Sequence, residues 1–247
     1  MHDFIRTSIL LFLKLLARIF YTFEVEWMGP VPPKPWNDVR IATVLNHTSL
    51  YEWLLAGGFA NHFLKRIATR GYVPVADITI SRAFYGRFIQ FLAPHFVSIT
   101  READHTWQAV IDSIPKNSMI IIFPEGRMKR ATGLDKRGQP MTVRGGIVDL
   151  LDAVPEGRML LVYSGGLHHI QVPGQKIPKL FKKIRIACEF VDIAQYRATL
   201  MAEAGEESFR QAVREDLDSR RDRHCARLET FHYPTADEAP EDRRKAS

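Results

Sequence analysis

The sequence contains little cysteine and no long uncharged apolar run. Among its 247 residues only Cys188 and Cys225 are cysteines, which cannot build a disulfide framework and favour a reducing compartment. Hydrophobic residues make up 46% of the chain and charged residues 25%, so full disorder and a fibrous fold are excluded. The length suits one large domain.

Several familiar site motifs are also absent. The sequence has no zinc-finger spacing, no phosphate-binding P-loop and no G-x-G-x-x-G dinucleotide fingerprint. The adjacent pair His168-His169 has no cysteine or carboxylate at metal-ligand spacing. We therefore interpret the pair as structural or substrate-lining, and we expect neither a metal nor a cofactor.

Residues 4–23 form the most apolar stretch of the chain. Arg6, Lys14 and Arg18 interrupt it, and its longest uncharged run is Thr7–Leu13, whereas a spanning helix needs about 20 apolar residues. No small-residue cleavage site follows, so a signal peptide fits poorly. The wide apolar arc predicts a helix in the membrane interface, with its cations near lipid phosphates. The alternative is an ordinary amphipathic helix packed on the domain.

After the rigid connector Gly29–Pro35, apolar runs alternate with helical patterns. This alternation indicates an α/β fold with a largely parallel central sheet flanked by helices. We divide the chain into an N-terminal membrane-associated helix at 1–28, a main domain at 29–233 and a disordered tail at 234–247. The predicted strands are Arg40–Leu45, Ile67–Val73, His95–Thr100, Ser118–Phe123, Met159–Tyr163 and Lys183–Phe190. The predicted helices are Leu50–Leu64, Ser81–Leu92, Ala103–Ser113, Gly146–Ala153 and Glu206–Phe231.

Positive charge is concentrated in two segments. The net charge is +6, yet residues 127–144 carry six basic side chains and one acidic one, and residues 171–185 carry five basic and none acidic. A local basic surface predicts an anionic partner. Nucleic acid, anionic lipid, a phosphorylated substrate and an acidic carrier protein all stay open at this point.

The first chemical signal is His47, which follows a predicted strand and precedes Glu52 by five residues. Sites in open α/β sheets gather outside the carboxyl ends of strands. A carboxylate on one ring nitrogen would raise the basicity of the other, which could then take a proton from a substrate hydroxyl. The structural alternative is a capping box, because Ser49 and Glu52 have the S-x-x-E spacing that begins helices.

The second signal ends the predicted strand Ser118–Phe123, where the order is Pro124-Glu125-Gly126-Arg127. A glycine lets backbone N–H groups approach an anion, and an arginine supplies a forked donor for phosphate. The alternative is an ordinary charged loop after a strand.

The two motifs in this order resemble the glycerolipid acyltransferases, the family of lysophosphatidic acid acyltransferase. The family pattern is Asn-His, four residues, Asp or Glu, and then Phe-Pro-Glu-Gly. Here the motifs are Asn46-His47…Glu52 and Phe123-Pro124-Glu125-Gly126. Weaker matches lie at Phe96–Arg101, Val143–Gly146 and Ile177–Ile186, so that the resemblance covers roughly residues 40–190.

The resemblance implies an enzyme of phospholipid biosynthesis that transfers a fatty acyl group, with residues 29–233 as the acyltransferase domain. The donor would be acyl-CoA or an acyl carrier protein, whose thioester is a substrate and not a cofactor. The acceptor would be a lysophospholipid, first of all 1-acyl-glycerol-3-phosphate. The enzyme would work at the cytoplasmic face of the inner or plasma membrane, with membrane lipid and no nucleic acid as partners.

The same resemblance assigns roles to individual residues. His47 would be the general base and Glu52 the residue that orients it. The region that binds the acceptor phosphate would contain Arg101, Glu125, Gly126 and Arg127.

Three positions depart from the family pattern. Glu52 replaces the commoner Asp, and Arg127-Met128 stands where Thr-Arg is common. The family's late strand usually carries Val-Pro or a similar proline pair, and the segment Leu160–Gly166 has none. Two alternatives therefore stay open. One is the same chemistry on glycerol 3-phosphate or a lyso-ornithine-type lipid, and the other is a non-catalytic basic lipid-binding protein.

Overall fold

The computed structural model describes residues 2–76, 92–99, 105–175 and 177–233. Within these ranges a seven-stranded sheet separates two layers of helices. The strands are β1 (Tyr21–Met28), β2 (Val39–Leu45), β3 (Gly71–Ala76), β4 (His95–Ile99), β5 (Met119–Ile122), β6 (Arg158–Ser164) and β7 (Lys182–Asp192). The helices are α1 (His2–Phe20), a 3-10 helix (Glu52–Gly58), α2 (Asn61–Arg70), α3 (His105–Asp112), α4 (Gly146–Ala153), α5 (Ile193–Ala204) and α6 (Phe209–Ala226).

The sheet has the strand order β1-β7-β6-β2-β5-β3-β4. Its neighbouring strands are parallel except for β6 and β7, which confirms the predicted α/β fold with a largely parallel sheet. Strands β2 and β5 are direct neighbours, with Ile41 opposite Ile120 and Thr43 opposite Ile122. Because their carboxyl ends meet at one edge, the two sequence motifs lie side by side.

Each face of the sheet has its own apolar core. Helices α3, α4, α5 and α6 pack on one face, against side chains such as Ile41 and Leu161. Helix α1, the 3-10 helix and α2 pack on the other face, against Ala42 and Leu160. Strands β2 and β6 are therefore covered on both faces, which explains why their sequences are mostly apolar.

The N-terminal segment forms less helix than its composition predicts. Helix α1 ends at Phe20, and residues 21–28 continue as strand β1, parallel to β7. The prediction of helix through residue 23, and of a helical segment over 1–28, is wrong for these residues. Thr22, Glu24 and Glu26 are exposed while their neighbours are more buried, and this period of two belongs to a strand. The division into domains stays a prediction.

Helix α1 packs on the domain but keeps an apolar outer face. It buries Leu10, Leu13 and Ala17. The sequence predicts that Lys14 and Arg18 lie near lipid phosphates, but both side chains contact the domain: Lys14 donates to the Phe59 carbonyl at 2.7 Å and Arg18 to the Gly57 carbonyl at 2.8 Å. No helix in the described part of the chain is both long and apolar enough to cross a bilayer. The exposed apolar residues of α1 are Phe4, Ile5, Phe12, Leu15 and Ile19.

Residues 50–73 also differ from the prediction. The sequence predicts one helix over Leu50–Leu64 and a strand over Ile67–Val73, but the structure has the 3-10 helix, then α2, then β3 from Gly71. Gly57 lies at the break, and a Cβ there would be 2.1 Å from the Phe23 ring. The 3-10 helix thus ends where the Phe23 side chain of β1 approaches the backbone. The local sequence does not reveal this contact.

Most other predicted elements form close to their predicted bounds, and α4 has the predicted bounds. Helix α5 was not expected; it begins where Asp192 accepts the N–H of Gln195 at 2.9 Å. Helix α6 ends at Ala226 rather than Phe231. The predicted helix Ser81–Leu92, except Leu92, and the predicted tail at 234–247 lie outside the described residues.

Candidate active site

The first motif forms the loop between β2 and the 3-10 helix. Asn46, at the end of β2, has a φ of 68°, a left-handed conformation that Asn adopts more readily than most residues. The next residue, His47, keeps 21% of its side chain exposed. Its ring lies 4.7 Å from the ring of Phe123 in the second motif. The imidazole is thus partly accessible at the carboxyl edge of the sheet.

Glu52 binds the ring of His47 and two backbone N–H groups of the same loop. Its Oε2 makes a short hydrogen bond with Nδ1 of His47. Its Oε1 accepts the backbone N–H of Thr48 at 2.7 Å and that of Ser49 at 3.3 Å. The orienting interpretation is therefore correct in geometry. The capping box is not formed, because the residue before the 3-10 helix is Tyr51, which has no side-chain cap, and the hydroxyl of Ser49 accepts the N–H of Tyr51 at 3.1 Å.

The charges around His47 favour its protonated form. Burial lowers the pKa of the imidazole, but the carboxylates of Glu52 and Glu125 outweigh burial and raise the pKa above its ordinary value. With Nδ1–H donated to Glu52, Nε2 is the nitrogen that can accept a proton. A raised pKa makes Nε2 a stronger base than an isolated imidazole.

Glu125 fixes the same loop from the end of β5. Its Oε1 accepts the N–H of Asn46 at 2.7 Å and its Oε2 accepts the N–H of His47 at 3.1 Å. Burial raises the pKa of this carboxyl, while the two amide donors and the charge of Arg221 oppose the effect. Glu125 and Glu52 together bind the N–H groups of residues 46–49. A loop whose successive amides are all bound is held in one conformation before substrate arrives.

The structure therefore gives Glu125 a contact that the sequence did not predict. The resemblance assigns it to the acceptor phosphate, but both of its oxygens accept protein N–H groups and its exposed fraction is 1%. In this position it holds the loop that carries His47. Its contact with substrate stays a prediction.

Gly126 lies in a tight turn after β5. Its φ is 61°, which favours glycine, and its N–H donates to the Phe123 carbonyl at 2.9 Å. A Cβ at this position would lie 3.0 Å from Cδ of Arg144. The turn brings Arg127 to the edge of the sheet next to the His47 loop.

Arg127 is anchored rather than isolated. It makes a short ion pair with the buried Asp135, which also accepts the N–H groups of Arg137 and Gln139 at 2.7 and 2.9 Å. Although burial opposes them, these donors and Arg127 hold the pKa of Asp135 below its ordinary value. Arg127 uses only one of its five N–H donors in this pair. The other predicted cation, Arg101, lies outside the described residues.

Sequence reasoning missed a residue far along the chain that also holds the site. Glu229, after α6, accepts from Nδ2 of Asn46 at 3.0 Å and from Nζ of Lys129 at 2.8 Å. Lys129 in turn donates its backbone N–H to the His47 carbonyl at 2.7 Å. Glu229 therefore holds the loop at two points: it binds Asn46 directly, and it binds Lys129, whose backbone N–H holds the carbonyl of His47. No local pattern marks Glu229, because 183 residues separate it from Asn46.

The loop after β6 provides further support. The hydroxyl of Thr48 accepts the N–H of Leu167 at 2.8 Å, and the hydroxyl of Ser49 donates to Gln171 at 3.0 Å. Ser164 accepts from Nδ2 of Asn46 at 3.0 Å. Ser164 lies in the segment Leu160–Gly166, which lacks the proline pair of the family pattern, so this departure lies next to the His47 loop.

The histidine pair has no metal-site geometry. Among the residues that the structure describes, no group of three or more His, Cys, Asp or Glu side chains could hold a metal ion. Burial, with the charge of Lys129 nearby, lowers the pKa of His168 to about 4, and its Nδ1 lies 3.0 Å from the Tyr233 hydroxyl. His168 is therefore a neutral, buried ring. The expected absence of a metal and of a cofactor stays a prediction.

The fold is similar to that of a solved acyltransferase. The crystal structure of the 1-acyl-sn-glycerophosphate (LPA) acyltransferase PlsC from Thermotoga maritima matches with a TM-score of 0.52 and 18% sequence identity, over 90% of this chain and 81% of that chain. Neither a family model nor a curated protein matches the sequence. At this identity the likeness shows a common α/β fold, and function must be argued from the site.

Proposed function

We propose that the protein is a glycerolipid acyltransferase that works at a membrane surface. It transfers a fatty acyl group from acyl-CoA or an acyl carrier protein to the hydroxyl of a lysophospholipid, with 1-acyl-glycerol-3-phosphate as the first acceptor to test. The observation that carries the proposal is the partly exposed His47 bonded to Glu52 at the carboxyl edge of a PlsC-like sheet. The thioester is a substrate, and no cofactor takes part in the proposed reaction.

The geometry supports direct transfer. Nε2 of His47 takes the proton of the acceptor hydroxyl while the hydroxyl oxygen attacks the thioester carbonyl. The charge of Glu52 stabilises the imidazolium that forms. The tetrahedral intermediate expels the thiolate, which takes the proton from the imidazolium. A C–O bond forms, a C–S bond breaks, and the proton passes from hydroxyl to thiol without an acyl-enzyme.

Arg127 is the proposed partner of the acceptor phosphate among the described residues, with Gly126 shaping its turn. Its ion pair with Asp135 leaves further N–H donors of the guanidinium to a phosphate and orients the group. Arg101 belongs to the same proposal on the resemblance alone. Lys129 is a weaker choice, because Glu229 neutralises its ammonium.

A different acceptor is the second candidate. The segment Leu160–Gly166, which lacks the usual proline pair, ends against the His47 loop: a Cβ on Gly166 would be 3.1 Å from the Thr48 methyl group. This departure next to the base favours an acceptor other than 1-acyl-glycerol-3-phosphate, such as glycerol 3-phosphate or a lyso-ornithine-type lipid. A panel of acceptors with several acyl thioesters, followed by lipid analysis, separates these candidates.

The decisive test of the activity is His47→Ala. Loss of a general base should lower turnover roughly 10²–10⁴-fold, with little change in melting temperature because the ring is partly exposed. The matched control is His62→Ala on an exposed position of α2, which should keep the wild-type rate. A folded His47→Ala protein with more than about a third of the wild-type rate would contradict the mechanism.

A non-catalytic lipid-binding protein would give a different result in the same assay. Thioester consumption would stay at background with every acceptor, while binding to vesicles would persist and fall with salt. That outcome would overturn the proposed acyl transfer.

A further inference from the structure

The segment before β7 carries an apolar tip that the proposed catalytic site does not use. Ile177 is 82% exposed, Phe181 77% and Leu180 42%. Phe181 also has a φ of 56°, a left-handed backbone that is unfavourable for a bulky residue. Three exposed apolar side chains within five residues, one on a strained backbone, indicate a surface that a partner covers.

The backbone of the tip is held in place by hydrogen bonds to other parts of the protein. The backbone N–H of Phe181 donates to the Phe20 carbonyl at 2.8 Å, and the two rings lie 6.2 Å apart. The N–H of Lys179 donates to the Ile170 carbonyl at 2.8 Å. Backbone bonds to two other elements keep the apolar side chains exposed at the carboxyl end of α1.

The outer face of α1 leads to this tip. Phe4, Phe12, Leu15 and Ile19 are exposed at helical spacing, which places them on one side of the helix. The row ends next to Phe20, whose ring contacts that of the tip residue Phe181. Two exposed apolar features therefore meet at one end of α1.

The charge next to the tip indicates which partner covers it. Lys183 and Arg185 pair with Glu24 at 2.5 and 2.9 Å. Lys179 and Lys182 are exposed, and neither forms an ion pair within the described residues. Apolar side chains flanked by uncompensated lysines complement an anionic bilayer, where the apolar groups enter the acyl boundary and the ammonium groups meet lipid phosphates.

We propose that the tip, residues 177–181, is a second membrane-binding element that inserts beside α1 into the interface of an anionic bilayer. The inference rests on the proposed membrane-surface location, but it involves no catalytic step. The tip is also linked to the site: His169 contacts the Lys183 carbonyl at 2.8 Å, and Leu167 donates to the Thr48 hydroxyl at 2.8 Å. Two membrane contacts would fix the rotation of the domain, which one helix alone leaves free.

The first experiment places a probe on the tip. Both native cysteines are buried, and burial raises the pKa of the Cys188 thiol to about 12 and that of Cys225 further, so they should resist labelling. Ile177→Cys is labelled with a polarity-sensitive fluorophore and mixed with phosphatidylcholine–phosphatidylglycerol vesicles. The control is Asn117→Cys, an exposed site before the amino end of β5, on the edge opposite His47.

We expect a blue shift of the label at 177 with these vesicles and none at 117. Emission characteristic of water at both positions, on protein that co-sediments with vesicles, would overturn the inference and leave α1 as the membrane contact. Protein that does not co-sediment at all would overturn it as well.

The second experiment measures partitioning by sedimentation. Ile177→Ser with Phe181→Asn removes both apolar groups, and Asn tolerates the left-handed backbone; vesicle binding should fall roughly tenfold or more. Lys179→Gln with Lys182→Gln should weaken it about fivefold per lysine, and only on anionic vesicles. Lys116→Gln, exposed before β5, should change nothing.

Melting temperatures confirm that each variant is folded. Unchanged partitioning of the folded tip variants would refute the second contact. Turnover is measured separately with His47→Ala and its control His62→Ala. A negative result for membrane binding by the tip can therefore be distinguished from a negative result for the proposed acyl transfer.

Discussion

At the residue scale, the two oxygens of Glu52 explain why a longer carboxylate than the usual Asp fits the site. Glu52 is the first residue of the 3-10 helix, so that its side chain turns back toward the loop it follows. One oxygen reaches the amides of Thr48 and Ser49 and the other reaches the ring of His47. The geometry makes the tautomer of His47 depend on the charge of Glu52.

Glu52→Gln tests this dependence. The Gln oxygen can still accept the amides of Thr48 and Ser49, so the melting temperature should stay close to that of the wild type. Its NH₂ group would face Nδ1 of His47 and favour the tautomer with Nε2 protonated, which cannot act as a base. We expect kcat to fall at least tenfold, or about 1.4 kcal/mol of barrier.

The pH profile of Glu52→Gln gives a second readout. A base must be neutral to act, so kcat/KM rises with pH through the pKa of His47. Because the Glu52 carboxylate contributes to raising that pKa, its removal should move the acid limb of the profile to lower pH. Glu52→Asp keeps the charge and should be milder. Unchanged kcat in Glu52→Gln would return Glu52 to a purely structural role.

At the element scale, helix α1 is at once part of the core and a candidate membrane contact. Its inner face buries Leu10, Leu13 and Ala17, so deletion of the helix would expose apolar core and confuse stability with membrane binding. Substitution of its outer face separates the two properties.

The outer-face variant replaces Phe4, Phe12, Leu15 and Ile19 by Ser. Vesicle binding should fall more than about tenfold because the apolar area that enters the interface is lost, while the melting temperature should change little. Met201→Ser, on an exposed position of α5, is the control. A variant that still floats with vesicles at wild-type levels would show that the main contact lies elsewhere, with the tip as the next site to test.

The segment after α6 gives a second prediction at this scale. Glu229→Gln removes the charge that holds Lys129 and weakens the bond to Asn46, so both flanks of His47 should loosen. We expect kcat to fall at least about tenfold, because a hydrogen bond to a charged group contributes roughly 1.5–3 kcal/mol, with the donor KM unchanged. Glu203→Gln, exposed at the end of α5, should behave like the wild type. A lowered melting temperature with normal kcat would mean that Glu229 supports only the fold.

At the scale of the whole molecule, buried histidines link stability to pH. The pKa of His168 is lowered to about 4 from an ordinary value of 6.5, mainly by burial. Between these values the unfolded chain binds a proton that the folded protein does not, so stability is lost as the pH falls through this window. The loss from His168 is at most roughly 3 kcal/mol. His47, whose pKa is raised, acts in the opposite sense, because its contribution is lost as the pH rises.

His168→Gln should flatten this dependence. Urea unfolding between neutral and acidic pH should show a smaller loss of stability in the variant than in the wild type. At neutral pH the variant should be less stable, because the ring of His168 packs against Phe231 and Tyr233 at 5.1 and 5.6 Å. The exposed His62→Gln is the control. An unchanged slope would assign the effect to His169 and His224, whose pKa values are also lowered.

The sequence alone determined the features that depend on local pattern. The alternation of apolar runs with helical segments predicted the largely parallel sheet, and the five-residue spacing of His47 and Glu52 predicted their contact. Parallel pairing of β2 with β5 then brought both motifs to one edge. These predictions were possible because both features depend on residues that are close in sequence. A strand buried on both faces has a run of apolar residues, and two side chains five residues apart in one loop can make contact.

Only the tertiary structure decided the features that depend on distant partners. Tyr21–Met28 is a strand because β7 lies beside it. The predicted helix Leu50–Leu64 breaks where Phe23 approaches Gly57. Glu125 binds the His47 loop, and Arg127 forms an ion pair with Asp135. Glu229 binds Asn46, although 183 residues separate the two in the sequence. A hydrogen bond or close contact between residues far apart in sequence has no periodicity, so no local pattern could have revealed these partners.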